Sequence, residues 1–310
     1  MKVVLIAEES AGVQALNLLA ESGCRVVSVM TSVPTTRPTI LRGTTVATAA
    51  ARLGYPVWPA TLVRDAALGR RLREAEVDLI LNVHSLYIIH PEVIAAARVG
   101  SFNLHPGPLP QYAGLNAPSW AILRGEERHA VTLHWMEPGI DTGAVAYTAS
   151  FALSETDTGL SVSSKCVTLG LPLIARLLET GVRDPASIPA HPQDLRWRRY
   201  FSAAVPFGGK LSWLLGARTL TRFVRACDYH PLPSPWGHPL TRLGDQEVAV
   251  VKAKRTYRAC VEPPGTLGQK VGSSVEVAAA DEWVLLERVR VEGKTRRGET
   301  LPALGSRFEV

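Results

Sequence analysis

The sequence predicts an α/β protein in which an open parallel sheet is followed by a smaller, mostly β domain. Three observations predict it. Nearly continuous apolar runs of strand length alternate with segments of helical period from Val3 to Trp135. The stretch from Asp184 to Pro206 is rich in proline and arginine and has no period. From Glu247 onward, short strand-like runs are separated by turns. Strands buried on both faces of a parallel sheet read as unbroken apolar runs, whereas half-buried antiparallel strands alternate.

Val3 to Ala7 is the first such run, closed by Glu8 and Glu9. Ala11 to Ser22 places Val13, Leu16, Leu19 and Ala20 at helical spacing, and Gly23 marks the stop. Arg25 to Met30 returns as a strand, completing a βαβ unit. The same logic predicts a helix over Thr45–Leu53, a short strand at Val57-Trp58 and a helix over Asp65–Glu74. It then predicts a strand over Val77–Val83 and a helix over Pro91–Ala97, with proline in its first turn. Val99–Leu104 reads as a strand, Leu115–Leu123 as a helix and Ala130–Trp135 as a strand. Thr158–Leu178 reads as a long helix stopped by Gly181. No Gly-x-Gly-x-x-Gly follows the first strand, so this Rossmann-like sheet lacks the usual dinucleotide fingerprint. The linker at 184–206 divides a catalytic domain at 1–183 from a second domain at 207–310. In the second domain, Leu220–Cys227 reads as a helix. Glu247–Val251, Ser274–Ala278 and Trp283–Val291 read as strands of an open-barrel-like fold.

Composition narrows the class. Hydrophobic residues at 46% and charged residues at 20% are those of a globular enzyme. No apolar run approaches the ~20 residues that span a bilayer, which predicts a cytoplasmic protein with no membrane partner. Cys24, Cys166, Cys227 and Cys260 lie far apart with no Cys-x-x-Cys spacing, as expected of reduced, packed thiols. The net charge of +6 is concentrated toward the C-terminus, where residues 205–310 hold 16 Lys and Arg against 11 Asp and Glu. Such a surface suits RNA, a carrier protein or only solvent.

The chemistry is concentrated in Ser101-Phe-Asn-Leu-His-Pro-Gly-Pro-Leu-Pro110. Asn103 and His105 are two apart, so a strand continuing this far sends both side chains to one face. Pro106, Pro108 and Pro110 end the strand. An amide and an imidazole thereby stand at the carboxyl end of a parallel strand, where open α/β sheets bind ligands. Glu137-Pro-Gly-Ile-Asp-Thr-Gly143 follows the strand Ala130–Trp135 and can present Asp141 at the same edge. Together these groups suit acyl transfer from a formamide to an amine. The amide and imidazole can donate to an oxyanion, while the carboxylate holds the histidine charged or helps deprotonate the amine. His129 and His134 lack the carboxylate or cysteine spacing of a metal site. His84, just after a buried strand, can line a ligand pocket but reads rather as a satisfied structural histidine. Trp120 reads as core or pocket wall, and Trp236 as a packed turn.

The run Phe102-Asn-Leu-His-Pro-Gly-Pro-Leu-Pro-Gln-Tyr-Ala-Gly-Leu-Asn-Ala-Pro-Ser-Trp-Ala-Ile122 resembles the signature of the folate-dependent formyltransferases. That signature reads Asn-x-His-Pro-Ser-Leu-Leu-Pro, then a basic or aromatic pair, Gly, and a helix containing Trp. Gly139-Ile-Asp-Thr-Gly143 matches the family's second motif. The resemblance covers most of residues 1–180. It continues more loosely through Lys210-Leu-Ser-Trp213 and Phe223-Val-Arg-Ala226, into a C-terminal domain like that of the methionyl-tRNA formyltransferases.

The resemblance implies 10-formyltetrahydrofolate as co-substrate, no metal, and Asn103, His105 and Asp141 as the catalytic trio. It also implies that backbone groups of Leu86, Tyr87, Ile88 and Ile89, and of Glu137, Pro138, Gly139, Ile140 and Asp141, hold the pterin ring. Gly107-Pro108 stands where the family often has Ser-Leu, a departure that bears on substrate fit.

Three acceptors compete: a small-molecule or carrier-tethered amine, methionyl initiator tRNA, and water. The tRNA enzymes carry a loop rich in Arg, Gly and Lys after their second strand. The matching Ser32–Thr45 stretch here holds only Arg37 and Arg42. Tyr112-Ala-Gly-Leu-Asn116 is closer to peptide-synthetase formylation domains and sugar formyltransferases. The resemblance therefore favours a small-molecule or carrier-bound acceptor over tRNA, and either over a hydrolase.

Overall fold

The computed structural model describes residues 1–32, 44–302 and 305–310. Arg37 and Arg42 lie outside the described residues. In chain order the elements begin β1 (Lys2–Ala7), α1 (Glu9–Glu21), β2 (Arg25–Thr31), α2 (Val46–Arg52) and β3 (Val57–Pro59). They continue α3 (Ala66–Glu74), β4 (Leu79–Val83), α4 (Pro91–Ile94), β5 (Gly100–His105), β6 (Ala113–Gly114) and α5 (Ala117–Arg124). After these come β7 (Arg128–Trp135), β8 (Val145–Ala152), α6 (Gly159–Arg183), β9 (Tyr200–Phe201) and α7 (Ala217–Ala226). The last strands are β10 (Leu240–Leu243), β11 (Gln246–Ala259), β12 (Leu267–Val271), β13 (Ser274–Ala278), β14 (Glu282–Val291) and β15 (Lys294–Arg297).

The chain forms two compact units. The first comprises Met1–Gly114, Ala130–Phe151 and Lys165–Tyr200. Its sheet runs β3-β2-β1-β4-β5-β7-β8. Strands β3 through β5 are parallel, and β7 is antiparallel to β5. Helix starts follow local chemistry: the Thr45 side chain caps α2 by accepting from Thr48 N–H, and Asp65 caps α3 by accepting from Ala67 N–H. One face of the sheet buries Val3, Leu5, Leu79, Leu81, Phe102 and Leu104 with Cys166, Ile174 and Leu177 of α6. The other face packs Val4, Ile6 and Ile80 with Leu68, Leu72 and Val93 of the α3–α4 side.

Three differences from the sequence reading have local causes. The helix predicted over Pro91–Ala97 is a single turn, closed by the tighter Ala96 N–H to Val93 O bond, after which Arg98 N–H donates to Val77 O instead of continuing the helix. The long helix does not stop at Gly181 but runs to Arg183, since Leu177, Leu178 and Ile188 continue the core around it. Edge strand β8 was not foreseen: its mixed burial leaves no clean apolar run. By length and composition α6 also qualifies as long and apolar enough to cross a bilayer. Its Cys166, Val167, Leu173, Ile174, Leu177 and Leu178 belong to the core of the first unit.

The second unit comprises Leu115–His129, Ala152–Ser164 and Phe201–Val310. Its antiparallel sheet is ordered β10-β11-β14-β13-β12, with β15 on β14. The C-terminal tail links the two ends of this order. Glu309 N–H donates to Arg242 O on β10, and Leu267 N–H of β12 donates to Ser306 O. Trp213 is fully buried, stacks on Phe308 and donates its indole N–H to Thr241 Oγ1. Trp120 of α5 stacks on Phe201 and meets Trp236 edge-on.

Candidate active site

Period-2 alternation decides what β5 offers to each side. Phe102 and Leu104 enter the core shared with α6, so Asn103 and His105 take the opposite face. Both residues lie within the strand, as the sequence reading required. In register with Asn103 are Asn82 on β4 and His134 on β7, and Thr132 lies opposite His105. The carboxyl half of this sheet face is therefore polar.

Asp141 completes the cluster by an unexpected route. Because β7 runs antiparallel to β5, its carboxyl end lies beside Phe102, not beside His105. The loop after it folds back, with Trp135 N–H donating to Ala144 O. That return carries the Asp141 carboxylate, 9% exposed, to the strand's polar face. Asn103 Nδ2 donates to Asp141 Oδ1 at 3.3 Å, and Asn82 Nδ2 donates to Asn103 Oδ1 at 2.9 Å. His105 Nδ1 lies 3.5 Å from Asp141 Oδ2, which also accepts from Gly114 N–H at 2.8 Å. The other ring nitrogen of His105 donates to Tyr112 O at 2.6 Å. The expected trio thus converges.

A fourth member was missed in the sequence. His134 Nε2 lies 3.0 Å from Asn103 Nδ2 and 3.4 Å from Asp141 Oδ1, and its Nδ1 donates to Trp135 O at 2.7 Å. The signal was the alternation of Thr132 and His134 along β7. It is legible only once the antiparallel register with β5 is known.

The electrostatics of the pair are opposed. Burial would raise the Asp141 pKa, but the charge of His105, the His134 contact and the Gly114 N–H outweigh it, holding the carboxyl well below its usual range. Burial lowers the His105 pKa, against the pull of Asp141 and Tyr112 O, and the net direction is down. At neutral pH the site therefore holds an ionised carboxylate beside a histidine whose burial favours the neutral ring. A second proton would let that ring donate to both facing acceptors.

Of the residues expected to hold a pterin, Leu86 and Ile88 are 77% and 71% exposed, while Ile89 is buried. Tyr87 OH lies 3.4 Å from Ser32 Oγ. Glu137, Pro138, Gly139 and Ile140 are exposed and only Asp141 turns inward. Exposed apolar side chains flanking a polar site suit a flat, partly apolar ligand. Nearby His84 pairs with Glu9 at 3.4 Å, and that contact lowers the Glu9 pKa. Among the described residues, no group of three or more His, Cys, Asp or Glu is placed to hold a metal ion.

The Formyl transferase family matches residues 1–177, and the Formyl transferase C-terminal domain family matches residues 208–299. The chain belongs to the formyltransferase family. It is accordingly an enzyme that transfers formyl groups. Solved structures share the fold. An N-formyltransferase from Helicobacter canadensis, in complex with folinic acid and dTDP-3-aminofucose, is 15% identical with a TM-score of 0.64. That match covers 92% of this chain and 98% of the other. A sugar N-formyltransferase from Shewanella sp. is 18% identical over 81% of this formyltransferase and 96% of its own length, with a TM-score of 0.62. HypX from Aquifex aeolicus, in complex with tetrahydrofolic acid, is 18% identical with a TM-score of 0.64. There the match takes in 97% of this chain but 46% of HypX, which is about twice as long.

Proposed function

We propose that this formyltransferase moves a formyl group from 10-formyltetrahydrofolate to the primary amine of a small-molecule acceptor, an amino sugar carried on a nucleotide being the first candidate. The observation that carries the transfer chemistry is the meeting of the Asn103 amide, the His105 imidazole and the Asp141 carboxylate on one buried sheet face. Structural neighbours whose bound molecules are folates and a dTDP-linked amino sugar support the choice of donor and acceptor.

In this reading the amine attacks the formyl carbon and a new C–N bond forms. The carbonyl oxygen becomes an oxyanion, and the bond from carbon to the folate nitrogen then breaks. One proton leaves the amine and one reaches the departing folate nitrogen, so tetrahydrofolate is released. The donors to the oxyanion are one Asn103 Nδ2–H and one His105 N–H. Each turns to it from the acceptor it meets in the free site, Asp141 or His134 for Asn103 and Tyr112 O or Asp141 for His105. As negative charge grows beside it, His105 takes up a proton more readily, offsetting the effect of burial. A carboxylate held well below its usual range is a weak base. Asp141 therefore acts by its charge, orienting and stabilising the imidazolium, and the second role open to it in the sequence, deprotonating the amine, is the weaker one.

The test supplies 10-formyltetrahydrofolate with a panel of dTDP- and UDP-amino sugars, aminoacyl carrier proteins and methionyl initiator tRNA in separate reactions. Release of tetrahydrofolate with one formyl added to an amino sugar is the expected result. Efficient formylation of the tRNA or a carrier protein, with none of the sugars, would overturn the acceptor assignment.

A further inference from the structure

We propose that Gln193 is a positioning residue for formyl transfer, bracing the Gly139–Gly143 loop so that Asp141 stays against Asn103 and His105. This rests on the trio being the reacting groups, as proposed above.

Asp141 sits in a conformation that its loop does not favour by itself. Its φ is +56°, in the left-handed region that an aspartate tolerates and most residues avoid. Two residues on, Gly143 leaves no room for a side chain, because a Cβ there would lie 2.0 Å from Trp135 O. A loop folded this tightly against its own strand needs hydrogen bonds from outside to keep one shape.

Gln193 supplies them. Its Nε2 donates to Asp141 O at 2.9 Å and to Gly143 O at 2.6 Å, so one side-chain amide holds both carbonyls around the bend. Gln193 Oε1 is buried with no hydrogen-bond partner among the described residues, so only the donor half of the amide is engaged. Arg198 Nη2 adds a third bond, to Ile140 O at 2.9 Å.

The segment carrying Gln193 is itself fixed on both sides. His191 and Val145 exchange backbone hydrogen bonds, and Trp135 Nε1–H donates to Pro189 O. Farther along, Arg199 O accepts from Ala113 N–H, and Arg199 N–H donates to Pro110 O. The stretch 110–114 holds Tyr112 O, the acceptor for His105, and Gly114 N–H, a donor to Asp141. One aperiodic segment thus braces both loops that meet the catalytic histidine. Gln193 is the side chain in it that reaches the carbonyl of Asp141.

A displacement of about 1 Å at a reacting group can cost ~10²-fold in rate. Gln193→Met keeps the length of the side chain and removes both donors. Its kcat should fall about 10- to 100-fold, with KM for the folate donor changed less than about threefold. His105 should also respond, because Asp141 raises its pKa. With the carboxylate loosened, the NMR titration midpoint of the His105 ring should move further down, which a role in stability alone would not produce.

Arg198→Ala removes the outer bond, together with the guanidinium's contact over the Tyr200 ring, and leaves both Gln193 bonds, so it should move both readings the same way by less. It also decides the question should Gln193→Met fail to fold. Wild-type kcat and an unmoved His105 titration in whichever variant folds would overturn the inference. His105→Ala serves as the control. If it turns over normally, the reading of the site fails; if it is inactive while Gln193→Met and Arg198→Ala are normal, only the brace fails.

Discussion

Asp141 Oδ2 stands 3.5 Å from His105 Nδ1 although the loop bearing Asp141 leaves its strand at the opposite end of β5. The pairing exists because that loop returns along the strand. Burial draws the His105 pKa down while the Asp141 carboxylate pulls it up, so this contact is what opposes the loss of the ring's charge.

If His105 bears the oxyanion, His105→Ala should lower kcat by about 10²–10³-fold. Affinity for the folate donor should stay nearly unchanged, because the interaction strengthens only in the transition state. Steady-state kinetics paired with calorimetry on a non-reacting folate analogue measures both. Wild-type turnover would remove His105 from the mechanism.

Asp141→Asn should destabilise the fold and make its stability less sensitive to acid. The Asp141 pKa is depressed in the folded state, so its contribution is complete above the unfolded carboxylate value and is lost as pH falls toward the folded one. His105 is depressed too, so the unfolded chain takes up its proton first, and stability again declines as pH falls below about 6.5. Removing a charged hydrogen-bond partner costs about 1.5–3 kcal/mol. The melting-temperature gap between wild type and Asp141→Asn should therefore be largest near neutral pH and narrow below about pH 4. A gap that stays constant from pH 7 to pH 3 would contradict the assignment.

The sequence made most of the sheet legible, because β1, β2, β4 and β5 are buried on both faces and read as unbroken apolar runs. Asn103 and His105 were legible because two polar residues at spacing two interrupt such a run before a proline series. His134 was not, since it gains its meaning from the antiparallel register of β7 against β5, which no local spacing encodes. Gln193 lies in a stretch without period, where the chain is shaped by hydrogen bonds to distant carbonyls rather than by its own pattern. The Rossmann-like sheet and the antiparallel C-terminal sheet agree with the predicted fold class.

The cysteines should sort by burial. Cys166 and Cys227 are buried and their thiols are pushed up to about 12, by burial alone for Cys166 and by burial with Asp228 for Cys227. Cys24 and Cys260 are partly exposed. Because the thiolate is the reactive form, iodoacetamide at pH 8 on native protein should label Cys24 readily and Cys260 more slowly, since burial raises the Cys260 pKa, and spare the other two until denaturant is added. Peptide mass spectrometry gives the result site by site. Labelling of Cys166 in native protein would show that its thiol reaches solvent.

The two glycines that bracket Asp141 should differ sharply in tolerance. At Gly139 a Cβ would meet the side chain of Thr142 alone, with Oγ1 2.3 Å, Cγ2 3.1 Å and Cβ 3.3 Å away, so it displaces one side chain and no backbone. At Gly143 it would meet Trp135 O at 2.0 Å and Trp135 C at 2.9 Å, backbone atoms of the strand that the loop folds against. Neither can move without displacing β7, whose His134 belongs to the cluster. Gly143→Ala should therefore cost about 1–3 kcal/mol, as overpacking against a fixed neighbour does. It should also lower kcat by about 10-fold or more, because the displaced loop carries Asp141 with it. Gly139→Ala should stay within about 1 kcal/mol and keep most of its activity. Denaturant melts and turnover on the two variants side by side decide it: equal losses at both positions would mean that the loop's return against Trp135 does not set the position of Asp141.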